Sequence, residues 1–152
     1  MNIKNVNYIN KFLRLPYPKN QMLIIGSAVM ALFGIKKNKD LDIWTTPFVE
    51  KMIARDKNYN VKKSKLDGSN MYEHKDGSLE FVITLPKHRG DLKKALAKSI
   101  MIYGVHFQHP KDLLAWKKEV NRPKDKDDIK KLEIFLKKKL IENYLEAIQN
   151  LK

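Results

Sequence analysis

Two aspartates one residue apart, Asp40 and Asp42 in "KNKDLDIW", close an apolar segment in a chain with 31 Lys+Arg against 17 Asp+Glu. Side chains of a β-strand repeat every second residue on one face, so both carboxylates point the same way, about 6–7 Å apart along the strand. Leu41 and Ile43 then face the core. Like charges on one face repel, and a divalent cation between them reverses that sign. Mg2+ takes one or two carboxylates and keeps its other positions for water and substrate phosphates. Two such ions about 3.5–4 Å apart clamp a phosphoryl centre under in-line attack. Glu80 in "SLEFVI" offers the third carboxylate, because Leu79 and Phe81 on either side of it read as core residues. If its strand lies beside the Asp40/Asp42 strand, three acids converge. The plainer alternatives are that Asp40 caps a turn, Asp42 pairs with a lysine and Glu80 is a solvated strand residue.

Upstream, Gly26-Ser27 joins an apolar run to a helix-like segment in "IIGSAVMALFG". Free N–H groups at a helix start favour phosphate. Glycine permits close approach of a ligand, and Ser27 either caps the helix or hydrogen-bonds a phosphate oxygen.

These residues need elements to hold them. Ile3, Val6, Ile9, Phe12 and Leu13 predict an amphipathic helix over 3–14, ended by Pro16 and Pro18. Met22–Ile25 reads as a buried strand, Ser27–Phe33 as a helix stopped by Gly34, and Leu41–Trp44 as a second strand. Pro47 opens a helix over about 47–55 with Phe48, Met52 and Ile53 inward. Strands are predicted at 60–66 and 70–74, and the Asp76-Gly77 turn signals a hairpin into the strand Leu79–Leu85. A short basic helix at 91–98, a strand-like stretch Ile100–Gln108 and a helix over 111–120 follow. The last helix, about 125–150, carries an apolar stripe at Ile129, Leu132, Ile134, Phe135, Leu136, Leu140, Ile141, Leu145 and Ile148. The order of elements predicts an α/β (α+β) fold, a mixed central sheet flanked by helices with a long C-terminal helix. It is read as one domain over 1–152, with a core at about 22–110 and a helical part at about 111–152.

The net charge of +14 draws polyanions, so nucleotides or nucleic acid are the first partners to consider. With no cysteine, disulfides, thiol catalysis and thiolate metal sites are excluded. "MNIKNVNYINKF" has no apolar signal core, and the run Met22–Ile35 is too short to span a bilayer. The expectation is a cytoplasmic protein without a membrane role. His74, His88, His106 and His109 show no metal-ligand spacing.

Together, Gly26-Ser27 after a strand, Asp40-Leu41-Asp42 on the next and Glu80 on a later one resemble the nucleotidyltransferase superfamily of polymerase-β-like fold. The segment "DLLAWKKEVNRPKDKDDI" is similar to a stretch of small bacterial nucleotidyltransferase-like proteins, some related to the toxins of abortive-infection toxin–antitoxin systems. Asp112, Lys117, Arg122, Lys124, Asp125 and Asp128 fall on that pattern, while Asn121 stands where it has glycine. The resemblance implies Mg2+, with Mn2+ as a substitute, held at a two-ion site by Asp40, Asp42 and Glu80. Glu80 is then the third ligand or the base for the acceptor hydroxyl. It implies an NTP held by Gly26 and Ser27, with Lys117, Arg122 and Lys124 on its phosphates. A nucleoside monophosphate would pass to a hydroxyl, on RNA or tRNA given the charge, with release of pyrophosphate. The rival expectations are an inactive nucleotide- or RNA-binding protein and a toxin held by an antitoxin protein. Arg122 and Lys124 have their own alternative, pairing with Asp112 or Asp128 while Asp125 caps the last helix.

Overall fold

The computed structural model describes residues 1–84 and 91–151 of the chain. They fall into two compact units, Met1–His109 and Pro110–Lys152. The first is a mixed α/β unit with a seven-stranded sheet. Its strands are β1 (Met22–Ile25), β2 (Leu41–Thr45), β3 (Tyr59–Lys63), β4 (Asn70–His74), β5 (Leu79–Val82), β6 (Ile100–Ile102) and β7 (Val105–Phe107). They lie in the order β3-β4-β5-β2-β1-β7-β6, with β2/β5 and β1/β7 parallel and the other pairs antiparallel.

Alternation along the strands divides the sheet into two faces. One face carries Met22, Ile24, Leu41, Ile43, Leu79, Phe81, Val105 and Phe107. Against it pack α1 (Ile9–Leu13), α2 (Ser27–Leu32) and α3 (Pro47–Ala54) through Ile9, Phe12, Ala28, Ala31, Leu32, Val49 and Ile53. The other face carries Leu23, Ile25 and Trp44, covered by Ala95, Leu92 and Leu96 of α4 (Leu92–Ala97). Burying these side chains is the main stabilising term, on the order of 1.5–3 kcal/mol for each large one.

Several expectations change in detail. The helix predicted over 3–14 is a 3-10 turn at Ile3–Asn5 followed by α1, and between them Tyr8 takes a left-handed φ of 68°. Asn38 breaks it: its Oδ1 accepts from Asn7 N–H at 2.9 Å and its Nδ2 donates to Asn7 O at 3.1 Å, which holds the backbone out of the helix. Helix α3 buries Val49 and Ile53, whereas Phe48 and Met52 are 55% and 38% exposed. Its N-cap Thr46 hydroxyl bonds Gln21 Oε1 at 2.6 Å and accepts from Val49 N–H, which fixes the roll of the helix one residue from the expected stripe. The stretch 100–108 is two strands, because Tyr103 and Gly104 both take positive φ, 50° and 74°, and make a hairpin turn. Of the strand predicted at Leu79–Leu85, β5 ends at Val82, and Leu85 lies outside the described residues.

The second unit holds α5 (Pro110–Val120), a 3-10 turn at Pro123–Asp125, and α6 (Lys126–Asn150) packed along α5. Asn121 ends α5 with φ 53° and its N–H on Lys117 O. Asparagine tolerates that left-handed conformation best after glycine, so Asn121 can end the helix as a glycine would. The predicted stripe of α6 is buried only at Leu132, while Ile134 (67%), Leu140 (71%) and Leu145 (53%) lie open. At 25 residues against 11 in α5, α6 outruns its neighbour. No helix among the described residues is long and apolar enough to cross a membrane.

Candidate metal centre

The register of the sheet sets the site. Asp42 lies opposite Glu80 across the parallel β2/β5 pair, Glu73 opposite Glu80 across β4/β5, and Ile25 opposite Asp42 across β1/β2. Glu73, Glu80, Asp42 and Ile25 therefore form one row on one face, neighbours about 4.8 Å apart. One strand step along, Val82, Trp44 and Leu23 form the next row, and α4 covers it. Trp44 Nε1 donates to Ile83 O at 2.9 Å, which satisfies the indole within that apolar patch. The face is thus half apolar and covered, half acidic and partly exposed.

Asp40 joins the row from the loop before β2. Asn38, 1% exposed, donates from Nδ2 to Asp40 O at 2.9 Å and accepts from Asn7, so a buried amide fixes the approach to the strand. Leu41 N–H then bonds Ser78 O at 2.9 Å, setting β2 against β5. The outcome is a cluster in which Asp40, Asp42 and Glu80 each present a carboxylate oxygen within 4.8 Å of the other two. Among the described residues this is the one such grouping of metal-competent side chains.

Gly26 fits this cluster by having no side chain. A Cβ there would lie 3.2 Å from Asp42 Oδ2, and its φ of 70° disfavours any other residue. It serves as the N-cap of α2, and Ser27, the first residue of that helix, is half-buried. The structure thus brings Gly26, Asp40, Asp42 and Glu80 together.

Lys117, Arg122 and Lys124 belong to the second unit. Lys117 is buried mid-helix, its ammonium 3.1 Å from Asp125 Oδ1 and 3.2 Å from Asp128 Oδ2. Arg122 Nε donates to Asp125 Oδ2 at 2.7 Å, and its guanidinium lies 5.1 Å from the centre of the Trp116 ring. Burial pushes the Asp125 carboxyl up, but the bonds from Arg122 and Lys117 outweigh it and hold it below the ordinary value. Asp125 and Asp128 absorb these two cations in their own unit. Lys124 is exposed.

Two residues at the acid row escape the motif reading. Lys62 of β3 places Nζ 2.8 Å from Glu80 Oε2 and 2.5 Å from Glu73 Oε2. Bonds to Glu73 first and Glu80 second raise the Lys62 pKa above its ordinary value, against the smaller effect of burial. A signal for Glu73 was available: a four-residue loop at 75–78 between paired strands puts residue 73 opposite residue 80. Of the histidines, His74 pairs with Asp76 at 2.8 Å and His106 with Ser99 Oγ at 2.7 Å, and His88 lies outside the described residues.

Set against protein-family models, curated proteins and solved structures, the chain finds no match. Fold and site by themselves define a mixed α/β unit with a three-carboxylate cluster on a partly exposed sheet face. That donor set suits a hard divalent cation. Ligands about 2.1 Å from Mg2+ lie at most about 4.2 Å from one another, so oxygens within 4.8 Å need little closure.

Proposed function

We propose that the chain is a Mg2+-dependent nucleotidyltransferase that moves a nucleoside monophosphate from an NTP to a hydroxyl acceptor and releases pyrophosphate. The observation that supports this most is the convergence of Asp42 and Glu80 on adjacent parallel strands with Asp40 from the loop that leads into β2. A fold gains nothing from gathering like charges on a partly exposed face unless a cation joins them. Asp40 and Asp42 would hold the ion and Glu80 would complete the set. When bound, Mg2+ offsets the charge that builds on the transferring phosphoryl group and its leaving oxygens. Gly26 keeps the space beside Asp42 free of side-chain atoms, so an α-phosphate can lie against the carboxylate row. The covered apolar row at Trp44 keeps the adjoining half of the face dry. The surplus of +14 favours a polyanionic acceptor such as RNA. Incubation with each α-labelled NTP, Mg2+ and total RNA should give labelled RNA, and Asp42→Ala should abolish it. No transfer with any NTP, or transfer indifferent to Asp42→Ala, overturns the reading.

A second reading rests on Lys62, whose grip on Glu80 withdraws the third acid: a nucleotidyltransferase-like protein that binds RNA without turnover. Its RNA affinity would fall steeply with salt and be unchanged or raised by Asp42→Ala.

A further inference from the structure

We propose that Lys62 is a built-in counter-ion of the acid row, occupying Glu80 until a divalent cation takes it, so that Lys62 and Glu73 together set the metal affinity of the site. This rests on the reading of Asp40, Asp42 and Glu80 as a metal site.

Lys62 reaches the row from β3, two strands from Glu80, and its ammonium bridges Glu73 and Glu80 at 2.5 and 2.8 Å. The side chains of Lys62 and Glu73 are 46% and 40% exposed, that of Glu80 17%. Lysine is a compact charge on a flexible stem. With its second partner in Glu73 and its side chain 46% exposed, Lys62 can release Glu80 without becoming a buried unpaired cation. Contrast Lys117, whose side chain is 7% exposed between Asp125 and Asp128 and has no such exit. A divalent ion arriving at Asp40 and Asp42 meets a positive charge on the third ligand and must displace it. Removing Lys62 removes that competitor. Removing the Glu73 charge does the reverse twice over, because it subtracts a negative charge near the ion and leaves Glu80 as the sole anchor of the ammonium.

The test is a Mn2+ titration of the full chain at low salt, with free Mn2+ read by electron paramagnetic resonance. It compares the wild type, Lys62→Met, Glu73→Gln and the double variant, with Asp42→Ala as the site control. Lys62→Met should bind Mn2+ about tenfold tighter, Glu73→Gln several-fold weaker, and the double variant between wild type and Lys62→Met, because Glu73 can then act only through its own charge; the differences should shrink as NaCl rises. Lys62 is exposed and Glu73 half-buried, so each variant should keep its thermal midpoint within a few degrees. A residue that merely braces β3 against β4 and β5 would change that midpoint and leave affinity alone. Equal Mn2+ affinity in all four proteins, or shifts of the same sign in both single variants, overturns the role of Lys62 and leaves the metal site standing. Failure of all four to bind Mn2+, or binding that survives Asp42→Ala, overturns the metal site and this inference with it.

Discussion

Both units gather acids and lysines, but in opposite ways. Around Lys117 the charges are interior: Asp125, Asp128 and Lys117 have side chains 2%, 9% and 7% exposed, and each cation–carboxylate distance is that of a made bond. Along the acid row of the first unit, Glu80, Glu73 and Lys62 are 17%, 40% and 46% exposed, and the carboxylates outnumber that ammonium. A buried, mutually satisfied network is what a fold needs to keep polar groups inside. A partly exposed cluster of like charge on one sheet face is not. The same residue types at comparable distances thus separate by burial into an architectural set and the set that we propose to be chemical.

The sharpest way to break this contrast is at Asp42. If the row is chemical, Asp42→Ala should cut nucleotidyl transfer by about 10³-fold, several kcal/mol of lost charge stabilisation. The thermal midpoint should stay within a few degrees of wild type, because the row is partly exposed. Lost stability with retained transfer would place the row with the architectural set. The counterpart change in the second unit is Lys117→Met. It strands two buried carboxylates and should cost about 3–5 kcal/mol in urea unfolding while leaving Mn2+ binding untouched.

The same network predicts an acid limb. The Asp125 carboxyl is held below its ordinary value by Arg122 and Lys117 against the effect of burial. A carboxyl with a depressed folded pKa contributes its full stability above the unfolded value, about pH 4, and loses it as pH falls through the folded value. Wild-type stability should therefore decline below about pH 4. Arg122→Gln removes one of the two cations and raises the folded value toward the unfolded one, so the decline should be smaller in total and end at higher pH, as read from urea midpoints between about pH 2 and 6.

Gly26→Ala probes the border between the two kinds of region. The added Cβ meets Asp42 Oδ2 at 3.2 Å and must sit at φ 70°. It should cost roughly 1–2 kcal/mol in stability and weaken Mn2+ binding, because Asp42 has to move. A loss of stability with no change in Mn2+ affinity would make Gly26 a turn residue only.

How much of this was legible in the sequence follows from the range of the interactions involved. Asp42 and Glu80 could be placed on one face because strand period is local and each is flanked by core residues, Leu41, Ile43, Leu79 and Phe81, whereas Asp40 lies before β2 and reaches them from the loop. Lys62 was out of reach of motif reading, since its meeting with Glu80 needs the register of three strands, whereas Glu73 needs only the length of the β4/β5 loop. Asn38, which ties the approach to Asp40 back to Asn7 across 31 positions, leaves no local pattern at all. Lys117 shows the reverse error: a lysine in the middle of a helix reads as solvent-facing or phosphate-facing, and only the fold-back of α6 brings Asp125 and Asp128 to it.

The smallest predicted effect concerns the one buried amide that fits neither set. Gln108 follows β7, and its N–H bonds Ile24 O at 2.8 Å, next to the β1 residue that flanks Asp42. It is 1% exposed, and among the described residues its Oε1 and Nε2 have no hydrogen-bond partner. An unmade pair of buried bonds costs on the order of 1–3 kcal/mol, whereas an apolar side chain of like shape avoids that cost. Gln108→Met keeps the length and removes both polar atoms, so it should raise stability by about 1 kcal/mol in urea unfolding. If it instead lowers stability, the amide is satisfied in solution, and the rule that burial with bonding marks the architectural set extends to Gln108. If stability rises while Mn2+ affinity or nucleotidyl transfer falls, Gln108 belongs with the acid row, and the fold tolerates an unsatisfied amide because the chemistry uses it.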